Sequence, residues 1–487
     1  MSQPAPAPAG RFDLATLLSE HRSGVLDLHE RFINPALVGV LRTIGFDQNW
    51  TRGEGAYLYD DRGNRYIDCL GGYAVFGVGR NHPVVRDALR QAMELDLPNL
   101  PGVGQFRVAP LLARELSRVA PPGLDKVFFA SGGAEAVDAA IKFARAATGR
   151  SGIIYCQRAY HGLTIGALSA CGNHEFRDGF GPLLADTAEI PFNDLAALER
   201  ALSRRDAAAF LVEPIQGKGV NLPEENYLRE AHALCRRHGA LLIADEIQTG
   251  MGRTGRMFAC EHSGVAPDIM VIAKALSGGY VPVSAVLMQD WIAERTFASM
   301  QQCSRIQNTF SMNDLAMTAG LATLHVMREE RTVEHARETG DYLLAGLRRA
   351  LGKYEMVKEV RGKGLMIAIE FQPPRSIALR MGWTLLHRLD QSLFCQAVIM
   401  PLMTDHRILT QVAGHRLDVI KLIPALVLSR ADADEIIAGF DAAIGACHQF
   451  PGPAWEVGKK LSVAAAKRFA PGAGPGDPRT QKAAAAR

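Results

Sequence analysis

Two apolar runs, one ending in a carboxylate and the other in an amine, carry the clearest chemistry in this chain. Ala240-Leu-Leu-Ile-Ala-Asp-Glu-Ile-Gln-Thr-Gly250 starts with small or apolar residues and stops at Asp245. Asp268-Ile-Met-Val-Ile-Ala273 repeats the pattern and stops at Lys274, just before Ser277-Gly278-Gly279. Short apolar runs bounded in this way read as buried strands. In open α/β sheets the carboxyl ends of parallel strands line the ligand crevice. An amine placed there can form an imine, and an acid there can keep a pyridinium nitrogen protonated, as an electron-sink cofactor requires. The competing reading is a structural ion pair at two strand ends.

Other candidates stand at similar places. Ser131-Gly132-Gly133-Ala134 follows the run 126–130 and opens a helical stretch with Glu135 in its first turn. Small residues at a helix start expose backbone N–H groups and the positive end of the dipole, a seat for a phosphate. An ordinary serine cap would look the same. Tyr160-His161-Gly162 follows the run 152–156, and Glu213 follows 208–212 and opens the turn Pro214-Ile-Gln-Gly217. An aromatic beside a glycine can stack on a flat heteroaromatic ring, although loop tyrosines are common. The order carries the weight, because an anion loop, an aromatic, a glutamate, an aspartate and a lysine each end a successive strand.

These groups need a frame. The runs 126–130, 152–156, 208–212, 241–244, 269–273 and 283–288 alternate with helical stretches such as 134–147 and 226–238. Strand and helix repeated at this spacing predict an α/β fold, a mostly parallel sheet with helices on both faces, over residues 76–330. Residues 11–75 form an N-terminal lobe with a hairpin pattern at 55–68, split by Asp61-Arg62-Gly63. Over 331–450 long helices (332–351, 383–395) and a strand at 365–371 predict a second, smaller α+β portion. Residues 1–10 read as a flexible Pro/Ala-rich arm, and 451–487 as a partly disordered extension.

Composition narrows the class. The 487 residues are 48% hydrophobic and 22% charged, ordinary for a globular enzyme. A net charge of +3, with basic residues gathered in the tail, is too small to argue for nucleic acid. The eight cysteines are scattered without metal-like clustering, which predicts a reduced, cytoplasmic protein with no metal site. No apolar run approaches the roughly 18–20 residues of a membrane span, and the N-terminus lacks the basic and apolar regions of a signal peptide.

With these residues in place the chain resembles the class III aminotransferases, pyridoxal 5'-phosphate enzymes of fold type I, close in pattern to ornithine and acetylornithine aminotransferases. The likeness covers about 40–445. It rests on Asp61-Arg-Gly-Asn-Arg-Tyr-Ile-Asp68, Asn81-His-Pro83, Phe129-Ala-Ser-Gly-Gly-Ala-Glu-Ala136, Tyr160-His-Gly162 and Val212-Glu-Pro-Ile-Gln-Gly217. It continues through Ala244-Asp-Glu-Ile-Gln-Thr-Gly-Met-Gly-Arg-Thr-Gly255, Lys274, Asn308-Thr-Phe310 and Arg361-Gly-Lys-Gly-Leu365. The resemblance implies a large domain with a mostly parallel seven-stranded sheet and a smaller α+β domain. It implies that Lys274 carries the cofactor as an imine and shuttles the proton, with Asp245 on the pyridine nitrogen and Gln248 on the ring hydroxyl. It places Tyr160 and Ile247 on the two ring faces, Ser131, Gly132, Gly133 and Ala134 at the phosphate, and His161 and Glu213 nearby. Thr309 is expected to reach the phosphate of a neighbouring subunit, which requires a homodimer.

Three positions depart from the family pattern, and all concern carboxylates. Leu163 stands where ornithine-type members carry an arginine after the aromatic-His-Gly triplet. Lys421 stands where an arginine clamps the α-carboxylate of glutamate, and Lys218 where an acidic residue pairs with that arginine. Lysine attracts a carboxylate but lacks arginine's planar two-point fork. The expected partners are therefore an amino donor and a carbonyl acceptor without an α-carboxylate: ω-amines, polyamines or an apolar, lipid-like aldehyde such as a hopanoid side chain. Phe46 and Tyr73, at positions lining the family's substrate entrance, fit such a pocket. The alternatives are relocation of the clamp to Arg407 or Arg416 in an acetylornithine- or ornithine-type enzyme, or another reaction of the same cofactor, such as an aminomutase or decarboxylase.

Overall fold

The computed structural model describes residues 12–21, 24–389, 391, 393–414, 416–449 and 452. Apart from Gly452, the expected arm and C-terminal extension lie outside the described residues. The chain divides into two compact units, Met1–Asn49 with Lys459–Arg487, and Trp50–Gly458. The first holds the helices Leu14–Glu20, Val25–Phe32 and Pro35–Ile44, and Phe46 belongs to it.

The second unit carries all the strands of the described residues. In chain order they are β1 (Trp50–Glu54), β2 (Tyr57–Asp60), β3 (Arg65–Asp68), β4 (Lys126–Ala130), β5 (Gly152–Cys156), β6 (Thr187–Ile190), β7 (Ala207–Val212), β8 (Leu241–Asp245), β9 (Ile269–Ile272) and β10 (Ser284–Met288). Then come β11 (Val357–Lys363), β12 (Met366–Phe371), β13 (Ile408–Leu409), β14 (Gln411–Val412) and β15 (Val419–Leu422). The central sheet has seven strands in the order β4-β10-β9-β8-β7-β5-β6. It is parallel from β9 through to β6, and β10 runs antiparallel to both its neighbours. Two four-stranded sheets, β1-β2-β3-β13 and β11-β12-β15-β14, make up the rest.

Every residue of β7, β8, β9 and β10 is buried, as expected of a sheet covered on both faces. Successive side chains go to opposite faces. Phe210 and Val212 therefore join Leu242, Met270 and Ile272 in one apolar layer, while Leu211 joins Ile243, Ile269 and Val271 in the other. The second layer is closed by the helix Gly133–Thr148, whose buried stripe is rich in alanine (Ala136, Ala139, Ala140, Ala144, Ala147) and so sits close to the sheet.

In the central sheet the strand positions follow the sequence reading closely except at one edge; outside it β1, β11, β13, β14 and β15 had no named run, and one helix differs. The edge strand β6 was not among the expected runs. Its Thr-Ala-Glu-Ile is short and mostly half-buried, so it lacks the continuous apolar character of the interior strands. The single helix expected over 383–395 is two helices, Ile377–Leu389 and Leu393–Thr404.

Candidate active site

Register along the central sheet brings the chemical groups together. Val212 pairs with Ala244, and Asp245 with Val271, so Glu213, Asp245 and the segment leading to Lys274 leave one edge on three adjacent strands. Neighbouring strands lie about 4.8 Å apart, so these groups converge. The Tyr160 loop follows β5 on the same edge, and Ser131 follows β4.

Asp245 is buried and doubly held. Its Oδ2 lies 2.7 Å from Nδ1 of the buried His161. Its Oδ1 accepts from the Ile247 N–H at 3.0 Å. The other ring nitrogen of His161 is buried and makes no hydrogen bond among the described residues. Lys274 differs: among the described residues its amine has no hydrogen bond or ion pair, and burial pushes it below the usual lysine range against the pull of Asp245 and Glu213. Its backbone has φ 41°, in the left-handed region that non-glycine residues occupy only at a cost of about 1–3 kcal/mol.

The helix Gly133–Thr148 starts at Gly132 without a side-chain cap, leaving its first N–H groups free for an anion. The loop before it is braced: the Ser131 N–H donates to Glu135 at 2.9 Å, Asn308 donates to the same carboxylate, and the Ser284 hydroxyl donates to the Gly132 carbonyl at 2.9 Å. A Cβ on Gly133 would come within 3.1 Å of Ile247 Cδ1, which places Ile247 beside the helix start. Gly162 (φ 129°) presses on Ala134 so closely that a Cβ would lie 2.4 Å from the Ala134 Cβ, fastening the Tyr160 loop to the same place.

Glu213, also buried, braces this loop from below. It accepts from the Tyr160 N–H at 2.9 Å and from the Gly217 N–H at 2.6 Å, and burial raises its pKa. Tyr160 packs edge-on against Phe176. Lys218 lies over the Phe176 ring, 3.8 Å from its centroid, and 3.4 Å from Glu175. Lys421 on β15 is buried, and its Nζ donates to the Gly217 carbonyl at 2.8 Å and to Gln248 Oε1 at 3.1 Å. The Nε2 of Gln248 lies 3.4 Å from the Tyr73 carbonyl. Leu163 and Tyr73 are exposed, as are Thr309, Arg407 and Arg416. Glu175 and Phe176 carried no signal in the sequence, because nothing local ties a loop at 175 to a lysine at 218.

Burial and the neighbouring Lys274 push the Lys421 pKa down to about 7, against the attraction of Glu213, with Lys218 and Arg253 adding to the repulsion. The unfolded chain then binds more protons than the folded one from about pH 7 up to the ordinary lysine pKa, so this residue makes stability rise with pH over that window. The slope is at most about 1.4 kcal/mol per pH unit. In thermal unfolding, wild type should gain on Lys421→Met between pH 7 and pH 9. An unchanged difference contradicts the assignment.

The sheet order and the carboxyl edge on which these groups gather are those of the fold type I transferases that depend on pyridoxal phosphate. The chain belongs to the class-III aminotransferase family, whose profile matches residues 44–444. It is 34% identical over 470 residues to aminotransferase PigE of a Serratia species, covering 90% of this chain. The chain spans only 55% of that relative's length. Among solved structures, the ornithine aminotransferase of Toxoplasma gondii is 30% identical with a TM-score of 0.77, over 90% of this chain and 99% of that one. An amine transaminase from an uncultivated Pseudomonas species is 29% identical with a TM-score of 0.72, over 82% and 94% respectively. Among the described residues no group of His, Cys, Asp and Glu is arranged to hold a metal, and no helix is long and apolar enough to cross a membrane.

Pyridoxal phosphate fits the groups present: an unpartnered amine, a buried carboxylate held from behind, and an uncapped helix start at one edge.

Proposed function

We propose that this protein is a homodimeric transaminase that moves an amino group between an amine and an aldehyde or ketone, neither bearing an α-carboxylate. ω-Amines, polyamines and apolar, lipid-like aldehydes, hopanoid side chains among them, are the substrate class. The observation that carries the reading is the fate of the three departing positions. Lys421 is spent on Gly217 and Gln248, Lys218 on Glu175 and the Phe176 ring, and Leu163 has no charge to offer. The exposed Ile165 and Tyr73 add apolar surface suited to a hydrocarbon substrate.

The bound cofactor supplies an aldehyde for the incoming amine and a ring that takes up the electron pair left by a departing proton. Lys274, kept easy to deprotonate by burial, holds the cofactor and moves the proton at its Nζ to and from the substrate carbon. Asp245 faces the ring nitrogen, oriented by His161 and the Ile247 N–H. Ser131, Gly132, Gly133 and Ala134 would receive the phosphate, Tyr160 and Ile247 would flank the ring, and Gln248 would meet the ring hydroxyl. Glu213 keeps the Tyr160 loop and the Gly217 turn in register. Thr309, exposed on its turn, reaches the phosphate bound by the second subunit.

A panel of donors (glutamate, alanine, N-acetylornithine, polyamines, alkylamines) against short and long aldehydes tests the substrate class. Long-chain aldehydes should be aminated with a kcat/KM at least about tenfold above that for N-acetylornithine, because a missing charge-assisted contact is worth about 1.5–3 kcal/mol. Equal activity on N-acetylornithine overturns it and favours the ornithine-type reading.

A further inference from the structure

We propose that Lys421 is a positioning residue for Gln248: it holds the side-chain amide with its carbonyl inward and its NH2 outward, so that the pocket presents a donor at this point. The inference rests on the reading that the pocket binds pyridoxal phosphate through Lys274, with Gln248 at the ring oxygen. An ammonium has only donors to offer. The Gln248 atom 3.1 Å from Nζ is its carbonyl oxygen, the acceptor that the protonated lysine requires. A second donation, 2.8 Å to the Gly217 carbonyl, fixes where the ammonium itself stands. Gly217 leaves no slack, since a Cβ there would lie 2.7 Å from Gln248 Oε1. The N–H of Gly217 is in turn gripped by the buried Glu213 at 2.6 Å. The result is a chain of contacts from the Tyr160 backbone through Glu213, Gly217 and Lys421 to Gln248, joining β7, β8 and β15. At its outer end the Gln248 NH2 is committed, among the described residues, to the Tyr73 carbonyl alone at 3.4 Å, a long contact that is easily given up. Two of the three donors of this ammonium are taken by the Gly217 carbonyl and Gln248 Oε1, so at most one is left for any substrate group, which rules out a two-point grip on a carboxylate.

The test uses the cofactor-loaded protein, with Lys421→Met, Gln248→Leu and the double variant. The measurements are the dissociation constant of pyridoxal phosphate and the pH midpoint of the visible absorbance of the Lys274-linked cofactor. Loss of one oriented hydrogen bond should weaken the cofactor roughly three- to tenfold in Lys421→Met and move the midpoint. In the Gln248→Leu background Lys421→Met should add nothing further. The assignment is overturned if Lys421→Met leaves affinity and midpoint unchanged, or if the two effects simply multiply. It is also overturned if the only change is a higher KM for carboxylate-bearing donors. Lys421→Gln serves if the methionine variant does not fold. A wild type without Lys274-linked absorbance would sink the pocket reading itself, a result distinct from failure of the Lys421 assignment alone.

Discussion

Replacing Lys274 with alanine should abolish the visible absorbance of the Lys274-linked cofactor and lower turnover by about 10³-fold or more, since the proposed function gives one group both the covalent link and the proton transfer. The protein should still fold. Among the described residues Lys274 has no hydrogen-bond or ion-pair partner to lose, and burial already works against its charge. Its left-handed backbone adds a local strain that alanine inherits unchanged. The variant should therefore melt no lower than the parent, and a small primary amine in the buffer should restore part of the rate by replacing the missing proton carrier. Spectra, calorimetry and rates with added amine check the three parts. Turnover within tenfold of wild type would remove Lys274 from the chemistry.

Asp245 should show a different balance, because it is both chemical and structural. Asp245→Ala removes the partner of a buried imidazole whose other nitrogen is already unsatisfied, and it also strips the Ile247 N–H of its acceptor. Each orphaned buried group costs about 1–3 kcal/mol, so this variant should lose activity and stability together. Asp245→Asn separates the two. Its carbonyl can still accept from Ile247, yet the side chain carries no charge with which to keep the ring nitrogen protonated. Activity should fall by roughly 10²–10³-fold, the scale seen when one preorganised electrostatic contact is removed, while the melting temperature stays near that of wild type. Stability lost without activity in Asp245→Asn would return the residue to the structural ion-pair reading.

The strand ends were legible because they depend on local pattern. An apolar run ending in Asp245 or preceding Lys274 encodes both its own burial and the place where it stops, and the βα alternation orders those stops along one edge. Edge elements were less visible. β6 hides because its half-buried Thr-Ala-Glu-Ile lacks the character of an interior strand. The partners of the two lysines were not legible either. Lys421 meets a carbonyl 204 residues away and an amide 173 residues away, and Lys218 meets a glutamate 43 residues away. Residue types at these positions mark a departure from the family pattern. Only tertiary geometry shows their partners: Gly217 and Gln248 for Lys421, and Glu175 for Lys218.

The most direct test of this account is a single half-reaction. The cofactor-loaded protein is mixed, without any acceptor, with a long-chain primary alkylamine and, separately, with N-acetylornithine. The account predicts that the alkylamine converts the Lys274-linked absorbance to that of the pyridoxamine form, releasing one aldehyde per site and no CO2, while N-acetylornithine does so far more slowly. Conversion by N-acetylornithine with the alkylamine inert would contradict it.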